Sequence, residues 1–78
     1  MSTIYRQGKL VISVYVDHAP PHFHVRTPNG DAVVDLASMQ QIAGAVDHKL
    51  FIQAIKWAIA HRSVILAEWK RLNGDYDA

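Results

Sequence analysis

The chain has 78 residues, no cysteine and a formal net charge of +1, and half of its residues are apolar. Its length indicates a single domain over residues 1–78, and the lack of cysteine excludes disulfides and thiolate metal sites. An apolar fraction of 50% with only 19% charged residues argues against a disordered chain. No apolar run approaches the roughly 18 residues of a membrane-spanning helix, and no signal peptide is evident. We therefore expect a cytoplasmic protein without a membrane partner.

The first half of the chain has the alternation and the β-branched residues that are typical of strands. Four strands are predicted, at about residues 3–6, 9–16, 22–26 and 31–36, and residues 41–43 are a candidate for a short edge strand. Glycine and proline at residues 7–8 and 28–30 indicate the turns between them.

The second half changes to helical spacing, and one long helix is predicted over residues 48–72. Asp47 is a favourable N-cap, Asn73-Gly74 is a stop signal, and residues 74–78 are expected to fray. Apolar residues recur on one stripe of this helix, namely Phe51, Ala54, Ile55, Ala58, Ile59, Ile65, Leu66, Trp69 and Leu72. The fold class that follows is α+β: a small antiparallel sheet of about four strands over residues 3–46, packed on one face by a single long C-terminal helix.

Strand alternation divides the residues of the sheet between two faces. The helix is expected to cover the face with Ile12, Val14, Val16, Phe23, Val25, Ala32, Val34 and Leu36. The uncovered face then carries Ser13, Tyr15, His22, His24, Arg26, Asp31 and Asp35, with Asp17 and His18 at its rim. Three of the five histidines thus fall within seven residues, on or beside an open face.

One use of this histidine cluster is metal binding. His22 and His24 lie about 6.6 Å apart along one side of a strand. With a third ligand from His18, Asp17 or Asp35, they could hold a divalent metal ion. We take His18, His22 and His24 as the first set to test, although nothing in the sequence requires a cofactor.

Two other uses stay open. His22 or His24 could act as a general acid or base beside the cation of Arg26 and the hydroxyl of Tyr15, as a metal-independent nuclease requires. These four residues are the catalytic candidates. The same surface could instead bind a partner, and its plainest interpretation is a solvated, open sheet face.

Arg62 interrupts the apolar stripe of the predicted helix, where a buried guanidinium needs a partner. In a purely structural role, its side chain extends past the edge of the sheet into solvent or pairs with a carboxylate. In a functional role, it faces a partner or ligand. A helix over residues 48–72 is about 37 Å long at 1.5 Å per residue, whereas a strand of five or six residues spans about 17–20 Å. We therefore expect the segment with Ile65, Leu66 and Trp69 to overhang the sheet as an apolar interface.

The candidate binding residues are accordingly Asp17, His18, Arg62 and Trp69. We expect a small protein partner or a second copy of the chain at the overhang. Residues 48–72 carry five basic residues and one acidic residue, a charge of +4. A nucleic-acid partner is only weakly supported, because the whole chain carries just +1.

A short motif carries a family resemblance. The run is Asp17-His18-Ala19-Pro20-Pro21-His22-Phe23-His24-Val25, with Thr3-Ile4-Tyr5-Arg6 before it and Trp57, His61, Arg62 and Trp69 after it. It resembles DUF family 4160, a family of small bacterial proteins, in which a third proline often stands where this chain has Ala19. The family's distinctive positions correspond here to Asp17, His18, Pro20, Pro21, His22 and His24.

The resemblance implies a role without a reaction. Families of this kind are often encoded beside a second small protein, and some members look like toxins of toxin–antitoxin pairs. We therefore expect a cytoplasmic bacterial module that is a toxin-like or partner-binding member of such a pair. The alternative is a small metal-independent nuclease or a histidine-based metal-binding domain that uses the face with His22 and His24.

Overall fold

The computed structural model describes residues 2–74, which form five strands and two helices. In chain order these are β1 (Ser2–Gln7), β2 (Leu10–Val14), β3 (His22–Thr27), β4 (Gly30–Asp35), β5 (Gln41–Gly44), α1 (His48–Ala60) and α2 (Arg62–Asn73). The expected α+β class is therefore confirmed. Of the tail that is predicted to fray, residues 74–78, only Gly74 lies within the described residues.

The strands form one antiparallel sheet in the order β1-β2-β3-β4-β5, so each strand pairs with its neighbours in sequence. The predicted number of about four strands is one too few, because the candidate edge segment is a true strand. β5 approaches β4 closely at Gly44, which has a φ of +85°. A Cβ atom there would lie 2.1 Å from the carbonyl oxygen of Asp31. This approach of the two backbones therefore requires glycine.

The prediction of one continuous helix is wrong, because the helix is broken at His61 and bends by 84°. His61 has a φ of −126° and a ψ of 30°, far from the helical values of about −63° and −42°. Its backbone N–H donates to the carbonyl of Ala58 at 3.2 Å, and its ring Nδ1 donates to the carbonyl of Trp57 at 2.8 Å. The side chain thus takes the carbonyl that the backbone N–H would use in an unbroken helix.

An aromatic stack ties this break to the sheet. The ring of His61 stacks on Trp57 with the centroids 4.3 Å apart, and Trp57 stacks on Tyr5 of β1 at 4.5 Å. Stacked rings at these spacings add to the energy of burial. The position of the break is therefore fixed by a tertiary contact.

The expected overhang does not occur. Because α2 turns back at His61, Ile65 and Trp69 are buried at 0% and 1% exposure, and both join the core cluster. Arg62 is exposed at the first position of α2. It does not interrupt a buried stripe, because the helical phase restarts after the break.

The two helices cover one face of the sheet, as strand alternation predicts. The buried apolar residues are Leu10, Ile12, Val14, Phe23, Val25, Ala32, Val34, Leu36, Ala54, Ala58, Ile65 and Trp69. Two residues depart from the expected division: Val16 is 70% exposed, because β2 ends at Val14, and Ser13, which was expected on the uncovered face, is fully buried. Within residues 2–74 no single helix is long and apolar enough to cross a membrane, and α1 and α2 meet that criterion only together, as a strongly bent pair.

Candidate functional site

The candidate site lies where the connection between β2 and β3 meets the C-terminal end of α2. Asn73, the last residue of α2, holds the two together. Its Nδ2 donates to the carbonyls of Tyr15 at 3.2 Å and Trp69 at 3.1 Å, and its Oδ1 accepts the backbone N–H of Asp17 at 2.8 Å. The connection is thereby fixed relative to the helix, which orients Asp17.

Asp17 and His22 form the centre of the site. The Oδ2 atom of Asp17 lies 3.0 Å from Nε2 of His22, and its Oδ1 accepts the backbone N–H of His18 at 2.8 Å. The other ring nitrogen of His22, Nδ1, lies 2.9 Å from the carbonyl oxygen of Pro20. A carbonyl oxygen can only accept, so Nδ1 carries a proton.

This arrangement leaves two states for the Asp17–His22 pair. If His22 is a doubly protonated imidazolium, its Nε2 donates to the Asp17 carboxylate. If His22 is neutral, the lone pair of Nε2 faces a carboxylate oxygen at 3.0 Å, which is unfavourable unless a cation lies between them. The geometry therefore calls for a positive charge at this point, either a proton or a metal ion.

Both states require an ionised carboxylate at Asp17. The backbone N–H of His18, and then the hydrogen bond with His22, hold the pKa of Asp17 below its usual value of 3.8. Hydrogen bonds to the charged form of a carboxyl group have this effect. Asp17 is therefore ionised at neutral pH.

His24 completes the cluster from the same side of β3. Its ring lies 5.7 Å from the ring of His22 and packs edge-on against Tyr15 at 4.2 Å. Its Nε2 atom is buried and has no hydrogen-bond partner among the residues that the structure describes. Burial, and then the charge of His22, lower the pKa of His24 below 6.5. His24 is thus a neutral imidazole with an unsatisfied polar atom, the form in which histidine binds metals.

Trp69 forms the inner wall of the cluster. Its ring lies 4.8 Å from the ring of His22, and Trp69 itself is buried. The side chain of His22 is only 11% exposed, whereas that of Asp17 is 42% exposed. The site is therefore closed by protein on the side of Trp69 and open to solvent on the side of Asp17.

The structure brings together one ligand atom from each of Asp17, His22 and His24, all within 4.8 Å of one another. His18 does not belong to this group: it is exposed, and it contacts the cluster through its backbone N–H. Of the three third ligands that the sequence left open, the geometry selects Asp17. The first set to test, with His18, is replaced by one with Asp17.

Asp35 lies opposite His22 in the β3–β4 register, but it is used elsewhere. Its Oδ2 accepts the backbone N–H and the hydroxyl of Ser38, both at 2.9 Å. These bonds lower its pKa below 3.8. Asp35 stabilises the turn after β4 and does not complete the cluster.

The remaining candidates lie apart from the cluster. Arg26 is on the same side of β3, paired in register with Val11 and Asp31, and it lines a cleft farther along the sheet. Arg62 and Asn73 are at opposite ends of α2. Asn73 is the residue that sequence reasoning missed as part of the site, since it reads only as a helix stop.

Comparison with known proteins identifies the family alone. No curated protein and no solved structure matches the chain. The family described as "Domain of unknown function (DUF4160)" matches residues 10–70, which is well over half of the sequence and includes the whole cluster. The chain therefore belongs to the DUF4160 family, as the resemblance predicted.

Proposed function

We propose that this domain binds a divalent transition-metal ion, Zn²⁺ in the first instance, through Asp17, His22 and His24. The observation that carries the proposal is the convergence of their ligand atoms within 4.8 Å. Zinc bonds of about 2.0–2.1 Å in tetrahedral geometry place ligand atoms about 3.3 Å apart. The distance of 3.0 Å between Asp17 and His22 is close to this value, so a modest rotation of His24 would complete the set.

The surroundings of the ligands support the proposal. Histidines that bind metals almost always donate their other ring N–H to a carbonyl or carboxylate, which fixes the tautomer, and His22 donates to Pro20 in this way. The Nε2 atom of His24 is buried and unsatisfied, so a cation bound by this nitrogen would supply the missing partner. Two imidazoles and one carboxylate favour zinc, iron or copper over magnesium and calcium, which prefer oxygen ligands.

The number of ligands indicates the kind of metal site. Structural zinc sites have four protein ligands, whereas catalytic sites keep three and leave a position for water or substrate. Here three ligands converge, and the exposed side of Asp17 leaves room for a fourth. A metal ion with such a position supplies a hydroxide-like nucleophile near neutral pH. The proposed activity is therefore metal-assisted hydrolysis.

Metal binding is tested on protein purified without a histidine tag, by elemental analysis and by calorimetric titration with Zn²⁺. We expect one equivalent of zinc in the unaltered protein. His24→Ala should weaken binding about a hundredfold or more, since losing a residue that merely orients a ligand costs about 10–100-fold.

His18→Ala is the matched control, because it removes a neighbouring imidazole and keeps the backbone N–H that contacts Asp17. It should retain zinc. Equal losses in the two variants, or no zinc in the unaltered protein, would refute the proposal. Activity that survives both chelation and zinc-free preparation would favour the metal-independent acid–base alternative, with His22 as the acid.

A partner-binding role is the second candidate, and a feature of α1 favours it. Lys49, Ile52, Lys56 and Ile59 recur at helical spacing and are all exposed, with Ile52 and Ile59 at 41% and 57%. An apolar stripe flanked by lysines suits a small acidic protein, by charge complementarity and apolar burial. Such a partner fits the expected toxin–antitoxin-type pair.

Co-expression with the product of the adjacent gene tests this second role. We expect co-purification and relief of any growth inhibition. Ile59→Asp should abolish both effects, whereas Val16→Asp, at an exposed site on another surface, should leave them intact. Unimpaired growth with no complex would argue against the toxin-like role.

A further inference from the structure

A second polar feature lies farther along the same face of the sheet. The strand registers align Arg6, Val11, Arg26 and Asp31 in one row across β1, β2, β3 and β4. Together with Lys9 of the β1–β2 turn they line a cleft of about 210 Å³. At about 30 Å³ for each water, this volume holds roughly seven waters, enough for a tetrahedral anion and part of the molecule that carries it.

The cleft is positively charged. Arg6, Lys9 and Arg26 line it together with one carboxylate, that of Asp31, so its formal charge is +2. In residues 2–74 neither Arg6 nor Lys9 forms an ion pair. Like charges gathered at one place repel one another, and an anion between them relieves this repulsion.

The kinds of cation point to the kind of anion. Arginine presents a planar fork of donors that matches phosphate oxygens two at a time, and lysine adds a mobile point charge. The donors come from three places, β1, the β1–β2 turn and β3, so they surround the cleft and can contact different oxygens of one group. Phosphate offers oxygens in the several directions that this arrangement requires.

The cleft and the histidine cluster lie on the same side of β3. Arg26 is two residues beyond His24 and four beyond His22 on the same side of β3, which corresponds to about 6.6 Å and 13 Å along the strand. A single ligand of small-molecule size can therefore extend from one to the other.

We propose that the cleft binds the phosphate group of a phosphate ester, whose organic part extends along β3 toward Asp17, His22 and His24. The anion site itself depends only on Arg6, Lys9 and Arg26. The statement that the organic part of the ester reaches the metal centre rests on the proposed function. The two statements therefore need separate experiments.

The anion site is tested by titrating metal-free protein with inorganic phosphate, followed by calorimetry and by amide chemical shifts. We expect saturable binding with the largest shifts at Lys9 and Arg26. The double variant Arg6→Gln/Lys9→Gln should weaken binding at least tenfold. Lys49→Gln/Lys56→Gln is the matched control, because it removes the same charge from α1, and it should change the affinity less than twofold.

Equal weakening in the two double variants would overturn the anion site, since binding would then follow net charge alone. So would the absence of saturable binding. Thermal unfolding of each variant checks that the fold is retained. Because Arg6 and Lys9 are exposed, neither change should lower the midpoint by more than the control does.

The link to the metal centre is tested with zinc-loaded protein and three phosphate esters: a sugar phosphate and a nucleoside monophosphate, which are monoesters, and a short oligonucleotide, whose linkages are diesters. We expect one of them to bind at least tenfold more tightly than inorganic phosphate. His24→Ala should remove this gain and keep the affinity for inorganic phosphate. If no ester exceeds inorganic phosphate, the link is wrong while the anion site stands. If zinc does not bind but phosphate does, the proposed function alone fails.

Discussion

Asp17 is held at its backbone N–H and at both carboxylate oxygens. Its N–H is bound by Asn73, and its two carboxylate oxygens contact the backbone of His18 and the ring of His22. Strand alternation alone predicts that His22 and His24 share a face, because the period of two is local. The contact of Asp17 with Asn73 joins residues 56 positions apart, and no spacing in the sequence announces such a contact. For the same reason, the sequence does not distinguish Asp17 from His18 as the third ligand beside His22 and His24.

Asn73→Ala should therefore lower both stability and zinc affinity, although Asn73 is not itself a proposed ligand. It removes three hydrogen bonds, each worth about 0.5–1.5 kcal/mol, so we expect a loss of about 1.5–4.5 kcal/mol in the free energy of unfolding. Zinc affinity should fall about tenfold, because Asp17 is no longer oriented. Urea unfolding and zinc titration measure the two effects. Lys70→Ala, an exposed change on the same helix, should alter neither, and a similar effect there would contradict the role of Asn73.

At the scale of elements, α2 departs most from its sequence pattern. The apolar stripe continues through residues 48–72 without glycine or proline, so periodicity predicts one helix. The break arises because the imidazole of His61 competes with its own backbone for the carbonyl of Trp57, and Tyr5 holds that arrangement by stacking. The first cause is local and the second is a tertiary contact, and periodicity reveals neither. The sequence pattern also indicates β5 only weakly. All of its residues are exposed, so it lacks the apolar alternation of the inner strands.

A second contact of α2 gives a prediction about pH. Arg71, and then the hydroxyl of Ser2 in β1, lower the pKa of Glu68 from 4.5 to about 2. A carboxyl group whose pKa is lower in the folded state stabilises the fold above its unfolded pKa and loses that contribution as the pH falls. The stabilisation from Glu68 should therefore be full above about pH 5 and decline as the pH falls from 4.5 toward 2.

Glu68→Gln tests this sign. Its urea midpoint should lie below that of the unaltered protein at pH 7, and the difference should shrink as the pH falls to 2.5. The effect should be modest, because Arg71 is exposed and water screens the pair. A difference that stays constant over this range would mean that the ionised state of Glu68 does not stabilise the fold.

At the scale of the whole molecule, the two helices cover one face of the sheet and leave the other face open. The helices bury the face of Ile12, Phe23 and Val34, while the other face carries the histidine cluster and the cationic cleft. The α+β class and this division follow from the sequence, because the change from a period of two to helical spacing is strong. The direction of the chain after His61 does not follow from the sequence. Because α2 turns back there, the predicted overhang is wrong.

The width of the sheet depends on Gly44. Gly44→Ala places a Cβ atom 2.1 Å from the carbonyl oxygen of Asp31 at a φ of +85°, so β5 must move away from β4. We expect a loss of about 3 kcal/mol or more, the upper part of the range for backbone strain. Gly8→Ala is the control, since its φ is +59° with nothing within 4 Å, and it should cost about 1–2 kcal/mol. Chemical denaturation compares them, and equal losses would show that the close approach is not limiting.

The sequential order of the strands has a consequence for the timing of assembly. Each strand meets a neighbour that the chain has just formed, so the sheet closes only short loops, and such contacts form quickly. The contacts of Ser2 with Glu68 and of Asn73 with Tyr15 and Asp17 are different, because they join the two ends of the chain. On a ribosome, His22 and His24 would be in place long before residue 73 emerges. Asp17 would be oriented only when α2 docks, so under the proposed function a nascent chain would gain affinity for a metal ion only after that step.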